Sequence, residues 1–298
     1  MKIVYFICGK DPAQLIIQQK LFRILAKNGF AIYVFADEEI KHFTEWNADI
    51  QLITYHLKNI PELEFSKPSV VINQGDGNNI LLNKIKGMQW EDDEGIHYIG
   101  LKEGETGIDS LLKKLKITDD DLGWSFKIPL SKDITASDLP TSHLSGFLVL
   151  VLDKMDKPID MAMWKEVFQQ INHPVIIMGS YILQSNAREI SSIDDVKIYN
   201  SIGKFNFAEM CHLVNRSKLV ICGDNPWLYI AVALHKKVVA LNLKKHQHIE
   251  AGYGKLFLKQ SLAKPIQPVS LKTSWFKSKK RNVKDLVEVI NLMLLPST

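Results

Sequence analysis

Apolar residues in this 298-residue chain follow two alternating patterns: short continuous runs, and stripes recurring every three or four positions. A short run flanked by turn residues predicts a buried strand. A stripe at helical spacing predicts a helix that covers it. The clearest instance is the stretch 201–243. Asn206 is a candidate N-cap with Glu209 three residues on, and Phe207, Met210, Cys211 and Val214 share one helical face. Residues 219–222 predict a strand, Asn225 and Pro226 a second cap and first helical position, and Trp227, Ile230, Ala231 and Leu234 a second stripe. A further strand is expected over 238–243. Asp224 then stands at the carboxyl end of one strand, beside the amino end of a helix, where open α/β sheets bind ligands.

The same rhythm runs through the rest of the chain. Residues 3–8 predict a strand and about 12–27 a helix, with Leu15, Leu21, Phe22 and Leu25 on its apolar face and Asn28-Gly29 as the stop. A strand at 31–36 completes a βαβ opening, hence a parallel sheet. Strands follow at 49–55 and 69–75, the second ending in the loop Gly75-Asp76-Gly77 before a helix through Ile80, Leu81 and Ile85. A short strand is expected at 98–101 and an amphipathic helix at 106–117. Residues 118–146, rich in Asp, Ser, Thr and Pro, read as a linker. Beyond it come a strand at 147–152, a helix through Met163, Trp164, Val167, Phe168 and Ile171, and strands at 175–178 and 196–199. A closing helix over 283–295 carries Leu286, Val287, Ile290 and Leu294 on one side.

Composition narrows the class. Hydrophobic content of 46% and charged content of 23% suit a soluble globular protein. No apolar run approaches the ~18 residues that span a bilayer, and the opening run is too short for a signal core, so a cytoplasmic protein is expected. A net charge of +4 gives no reason to expect nucleic acid. Basic residues do crowd at Lys272, Lys277, Lys279, Lys280, Arg281 and Lys284, around Trp275 and Phe276. That segment reads either as a solvated face or as a contact for anionic lipid. Cys8, Cys211 and Cys222 lie in or beside apolar runs without a CxxC pair and read as buried thiols. His246, His248 and Glu250 share a face only in a strand, with no further ligand cluster nearby, and no metal site is expected. Gly9-Lys10-Asp11 is neither a P-loop nor a GxGxxG fingerprint, which argues against a Rossmann dehydrogenase. Asp11 itself reads as an N-cap to the helix that follows, or as an acid–base group, or as both.

The stretch 201–243 resembles the heptosyltransferase-like bacterial glycosyltransferases, glycosyltransferase family nine, in its spacing and in Gly203, Glu209, Asp224, Ala231, Ala233 and Leu234. It departs where that family has Ser or Thr followed by Gly: this chain has Asn225 and Pro226, and Tyr229 replaces the family's His. Residues 69–75 resemble the family's V-V-I-D-x-Q-G strand, and Trp164-Lys165-Glu166-Val167 its W-x-E-L. The resemblance implies an α/β fold of two Rossmann-like domains with parallel sheets facing across a cleft, the GT-B arrangement. It places an acceptor-side domain at 1–140, a nucleotide-sugar donor domain at 146–282, and a helix crossing back to the first domain at 283–298. It implies an inverting glycosyltransferase that moves a heptose-like sugar from a nucleotide-diphosphate sugar to a lipopolysaccharide-type acceptor, a glycolipid or oligosaccharide. Asp11 would be the base. Lys154, Lys157, Gly203, Lys204, Asp224 and Asn225 would bind the donor, although Lys157 also suits an ordinary solvent-facing role. Asn73, Gln74 and Gly75 would lie on the acceptor side. No cofactor or metal is implied beyond the nucleotide-sugar co-substrate, an ADP-sugar being one candidate. The place of work would be the cytoplasm or the inner face of the membrane. Because proline removes a backbone donor, Asn225-Pro226 leaves a second reading open: an inactive relative that binds glycan, nucleotide or a protein partner.

Overall fold

The computed structural model describes residues 2–9, 12–38, 40–44, 47–55, 63–74, 80–89, 96–100, 112–113, 115–117, 139–143, 146–152, 161–194, 196–223, 225–241, 266–269 and 279–295. They form two compact units, one within Met1–Lys127 and the other within Ile128–Lys244 and Ser261–Thr298.

In the first unit, β1 (Lys2–Ile7), β2 (Phe30–Asp37), β3 (Gln51–Tyr55), β4 (Val70–Asn73) and β5 (His97–Gly100) make one sheet in the order β3-β2-β1-β4-β5. Every pairing is parallel. Two helices are described here, α1 (Pro12–Lys27) between β1 and β2, and α2 (Ile80–Gly87) between β4 and β5. α1 stops where the sequence places its stop: Asn28 N–H donates to the Ile24 carbonyl, and Gly29 turns with φ 79°. The central strand is covered on both faces. Tyr5 and Ile7 pack with Phe35, Val71, Leu81 and Ile85, while Phe6 meets Phe22 of α1 edge-on at 5.0 Å. Burial on both sides is why the strand sequences are continuous apolar runs.

In the second unit, β6 (Leu148–Leu152), β7 (Val175–Gly179), β8 (Ile198–Asn200), β9 (Leu219–Cys222), β10 (Val238–Leu241) and β11 (Ile266–Val269) make a sheet in the order β11-β10-β9-β6-β7-β8. It too is parallel throughout. Its helices are α3 (Met161–Gln170), α4 (Gln184–Ser191), α5 (Phe207–Arg216), α6 (Pro226–Ala233) and α7 (Lys279–Leu294). Trp164 and Phe168 of α3 stack at 5.3 Å. They share a core with β6 and β7 and with Val283, Leu286, Val287, Ile290 and Met293 of α7. The last helix therefore packs on the second unit. Its apolar stripe completes the second unit's own core, and Lys237 Nζ donates to the carbonyls of Met293 and Leu295 at its end, at 2.7 and 2.9 Å. No helix among the described residues is long and apolar enough to cross a membrane.

At the carboxyl ends of β6 and β7 the backbones come unusually close. Gly179 has φ 151°, and a Cβ there would lie 2.0 Å from the Leu152 carbonyl oxygen. Only glycine fits.

Candidate functional site

In each sheet the chain moves outward from a central strand first to one side and then to the other. The crevice where the direction reverses is the place where such sheets bind ligands. In the first unit it lies between β1 and β4. Beyond β1, Cys8 N–H donates to the Phe35 carbonyl of β2, while on the other side Gln74 N–H donates to the Ile7 carbonyl. Asn73 ends β4, half-buried, and Gln74 is 4% exposed. The Gln74 Nε2 is buried without a hydrogen-bond partner. A buried amide N–H with nothing to donate to costs free energy, on the order of 1–3 kcal/mol. This one lies at the reversal point of the first sheet. Cys8 beside it is no nucleophile, because burial pushes its thiol far above the ordinary range.

In the second unit the reversal lies between β6 and β9, which pair from Leu148↔Leu219 to Leu150↔Ile221. Beyond β9, Asn225 has extended backbone (φ −145°, ψ 171°) and caps α6, its Oδ1 accepting from Trp227 N–H at 3.0 Å, with Pro226 in the first helical turn. Asn225 is 6% exposed, and its Nδ2 is buried without a partner. The amino end of α5 stands alongside. Asn206 Oδ1 accepts from Glu209 N–H at 3.0 Å while a Glu209 carboxylate oxygen accepts from Asn206 N–H at 2.7 Å, and Phe207 meets Trp227 at 5.5 Å between ring centroids. Two helix N-termini therefore lie side by side at the carboxyl edge, the partial positive charge of α5 being offset by the Glu209 carboxylate and that of α6 having no acidic residue in its first turn.

Gly203 and Lys204 sit at the same edge, in the turn after β8. Ser201 Oγ donates to the Ile177 carbonyl at 2.6 Å, Lys204 N–H closes the turn on Ser201, and Gly203 has φ 76°. The Lys204 ammonium lies 4.1 Å from the Tyr199 ring centroid, a contact worth about 0.5–1 kcal/mol at an exposed position. The structure thus brings Asn225, Gly203 and Lys204 to one edge of the second sheet, and Asn73 and Gln74 to the reversal point of the first. The remaining candidates, Asp11, Gly75, Lys154, Lys157 and Asp224, lie outside the described residues, as do His246, His248, Glu250, Trp275 and Phe276.

Residues 144–270 match the family model for glycosyltransferase family 9 (heptosyltransferase). The chain matches that model over less than half of its length. Its fold agrees with three solved structures. A glycosyl transferase family 9 protein from Veillonella parvula is 16% identical, with 99% of this chain and 98% of that one covered and a TM-score of 0.75. E. coli ADP-heptose lps heptosyltransferase II is 15% identical, with coverage of 99% and 98% and a TM-score of 0.64. E. coli heptosyltransferase WaaC with ADP is 12% identical, with coverage of 98% and 99% and a TM-score of 0.66. At these identities the likeness is one of fold, two Rossmann-like domains of the GT-B class. A search of curated proteins finds no sequence match.

Sequence reasoning missed two features of the chain. Tyr181 and Ile182 follow Gly179 at the carboxyl edge and are 74% and 78% exposed, with the Tyr181 ring against Gly203. The signal available was a pair of large apolar residues directly after a Gly-Ser turn. Gln18, Gln19 and Lys20 of α1 are buried. There the signal was a polar run inside an otherwise apolar helix, which reads as a solvated face until the packing is known.

Proposed function

We propose that the enzyme is an inverting glycosyltransferase that transfers a heptose-like sugar from a nucleotide-diphosphate sugar, an ADP-sugar first among the candidates, to a lipopolysaccharide-type glycan. One observation carries this reading. Within the family-matched segment, the amino end of α6 and a buried amide donor without a partner come together at the carboxyl edge of a parallel sheet. Such an edge suits a phosphorylated donor.

The reaction needs a base for the acceptor hydroxyl and positive charge or N–H donors for the departing diphosphate. In this reading Asp11 takes the proton of the acceptor hydroxyl. The freed oxygen attacks the anomeric carbon from the face opposite the diphosphate, and the carbon–oxygen bond to the diphosphate breaks with inversion. Lys154, Lys157 and the amino end of α6 stabilise the charge left on the phosphate. Asp224 accepts hydrogen bonds from sugar or ribose hydroxyls, with Gly203 and Lys204 also on the donor side. Asn73, Gln74 and Gly75 face the acceptor.

The test is a panel of ADP-, UDP- and GDP-sugars incubated with and without a lipopolysaccharide-core acceptor, with released nucleoside diphosphate and glycosylated product both measured. The expected result is acceptor-dependent release from one donor class. It should be lost in Asp11→Asn with little change in melting temperature, because asparagine caps a helix nearly as well as aspartate. An Asp11→Asn enzyme with full activity would retire that residue as the base. Binding of a donor with neither transfer nor hydrolysis would identify the inactive relative instead.

A further inference from the structure

The sequence poses a puzzle at Asn225-Pro226. A helix N-terminus holds an anion through the free N–H groups of its first turn, and α6 begins with a residue that has none. The structure sharpens the difficulty. Trp227 N–H is taken by the Asn225 side-chain oxygen, and Leu228 N–H by the Asn225 backbone carbonyl, each at 3.0 Å. The first three positions of α6 therefore offer no backbone donor to a ligand.

The same cap supplies a replacement. Because Oδ1 accepts from Trp227, the carboxamide cannot be turned over without setting an NH2 group against an N–H. Its nitrogen is therefore held on the side away from that bond. Nδ2 carries two N–H bonds, lies in a residue only 6% exposed, and meets no acceptor among the described residues. Serine or threonine could cap equally well without this orphan. An asparagine here leaves a buried donor idle unless a ligand uses it.

We infer that the Asn225 carboxamide N–H takes over the diphosphate contact that Pro226 removes from the backbone. The inference rests on the donor-site reading above and adds to it one atom and one ligand group: Nδ2, donating to a phosphate oxygen of a nucleoside diphosphate. The side chain thus has two tasks, Oδ1 holding the helix start and Nδ2 holding the ligand. The cap presets the angle of the donor.

The experiment is calorimetric titration of the full chain with ADP, UDP and GDP, and with adenosine, uridine and guanosine as partners lacking phosphate. Asn225→Asp keeps the shape and the cap but has no N–H to give. It should weaken binding of whichever nucleoside diphosphate the wild type takes by at least about tenfold, or ~1.4 kcal/mol. Binding of the nucleoside and the melting temperature of the empty protein should stay unchanged. The loss should persist at 0.5 M salt, where long-range repulsion by the new charge is screened. The double variant Asn225→Ser/Pro226→Gly, which returns a backbone N–H at position 226, should bind the diphosphate within about threefold of wild type. Wild-type-like affinity in Asn225→Asp, a loss abolished by salt, or no recovery in the double variant would each overturn the inference while leaving the donor site standing. If the wild type binds none of ADP, UDP and GDP, the donor-site reading falls and takes the inference with it.

Discussion

Replacing Gly179 with alanine should be among the most damaging one-methyl changes available to this protein. The added Cβ would sit 2.0 Å from the Leu152 carbonyl oxygen and 3.0 Å from its carbonyl carbon. Both are backbone atoms, so no side chain can rotate out of the way. Relief requires the end of β7 to move off β6, where Leu152 and Gly179 are partners in the parallel ladder. Alanine would also have to hold φ near 151°, a region that L-residues rarely enter. Strain of that kind costs about 1–3 kcal/mol, and forcing atoms into a packed site about 1–3 kcal/mol more. We expect a loss of about 4 kcal/mol, or on the order of 8–16 °C in Tm for a unit of this size. Two other glycines calibrate the argument. Gly203→Ala meets only the Tyr181 ring, at 3.5 Å, and pays for its φ of 76° alone, so about 1 kcal/mol is expected. Gly87→Ala has open space around it and should be neutral, or stabilising by up to about 1 kcal/mol. Thermal melts and urea titrations of the three variants give the order directly. A Gly179→Ala protein melting within 2 °C of wild type, or no worse than Gly203→Ala, would refute the reasoning.

Acid should weaken the second unit before carboxylates begin to titrate. Burial holds the pKa of His143 below 6.5 against the opposing pull of the Val175 and Lys197 carbonyls, and burial with the charges of Lys218 and Lys197 lowers that of His173. The unfolded chain then binds more protons between the folded values and about pH 6.5, so stability is full above that pH and falls progressively as pH drops below it. Urea midpoints between pH 7.5 and 5 should decline, and a flat profile would contradict the burial argument. The basic and aromatic segment around Trp275 and Phe276 is expected to bring the protein to a membrane surface that carries anionic lipid. Sedimentation with anionic and neutral vesicles checks this, and equal, negligible binding to both would remove the idea.

What was legible in the sequence is what neighbours in the chain decide. Asn206 and Glu209 are three residues apart and form their capping box without help from elsewhere, and Asn225-Pro226 starts a helix for equally local reasons. The continuous runs at 147–152 and 219–222 identified themselves as strands because a parallel sheet covered on both faces leaves no polar alternation. What the sequence could not show depends on partners far along the chain. The order β11-β10-β9-β6-β7-β8 joins strands from distant parts of the sequence. The apolar stripe of α7 would serve either unit, and only the groove beside Trp164 and Phe168 decides between them. The same holds for the site. That Asn225 caps a helix could be read from its neighbours, but that its nitrogen is left idle follows from burial and from the absence of an acceptor in three dimensions. Gln74 is a polar residue after a strand until the β1–β4 ladder shows where it sits.

The docking of α7 also sets the order of events during synthesis. β6 emerges from the ribosome early, but it pairs with β9, about 70 residues later, and the groove beside α3 is filled only by residues 283–293. With chain growth of roughly 5–20 residues per second, α3 and β6 wait several seconds with an open apolar face before the helix that covers it exists. The emergence of α7 is then the step that completes the core, and until it has left the exit tunnel the nascent second unit depends on protection from aggregation.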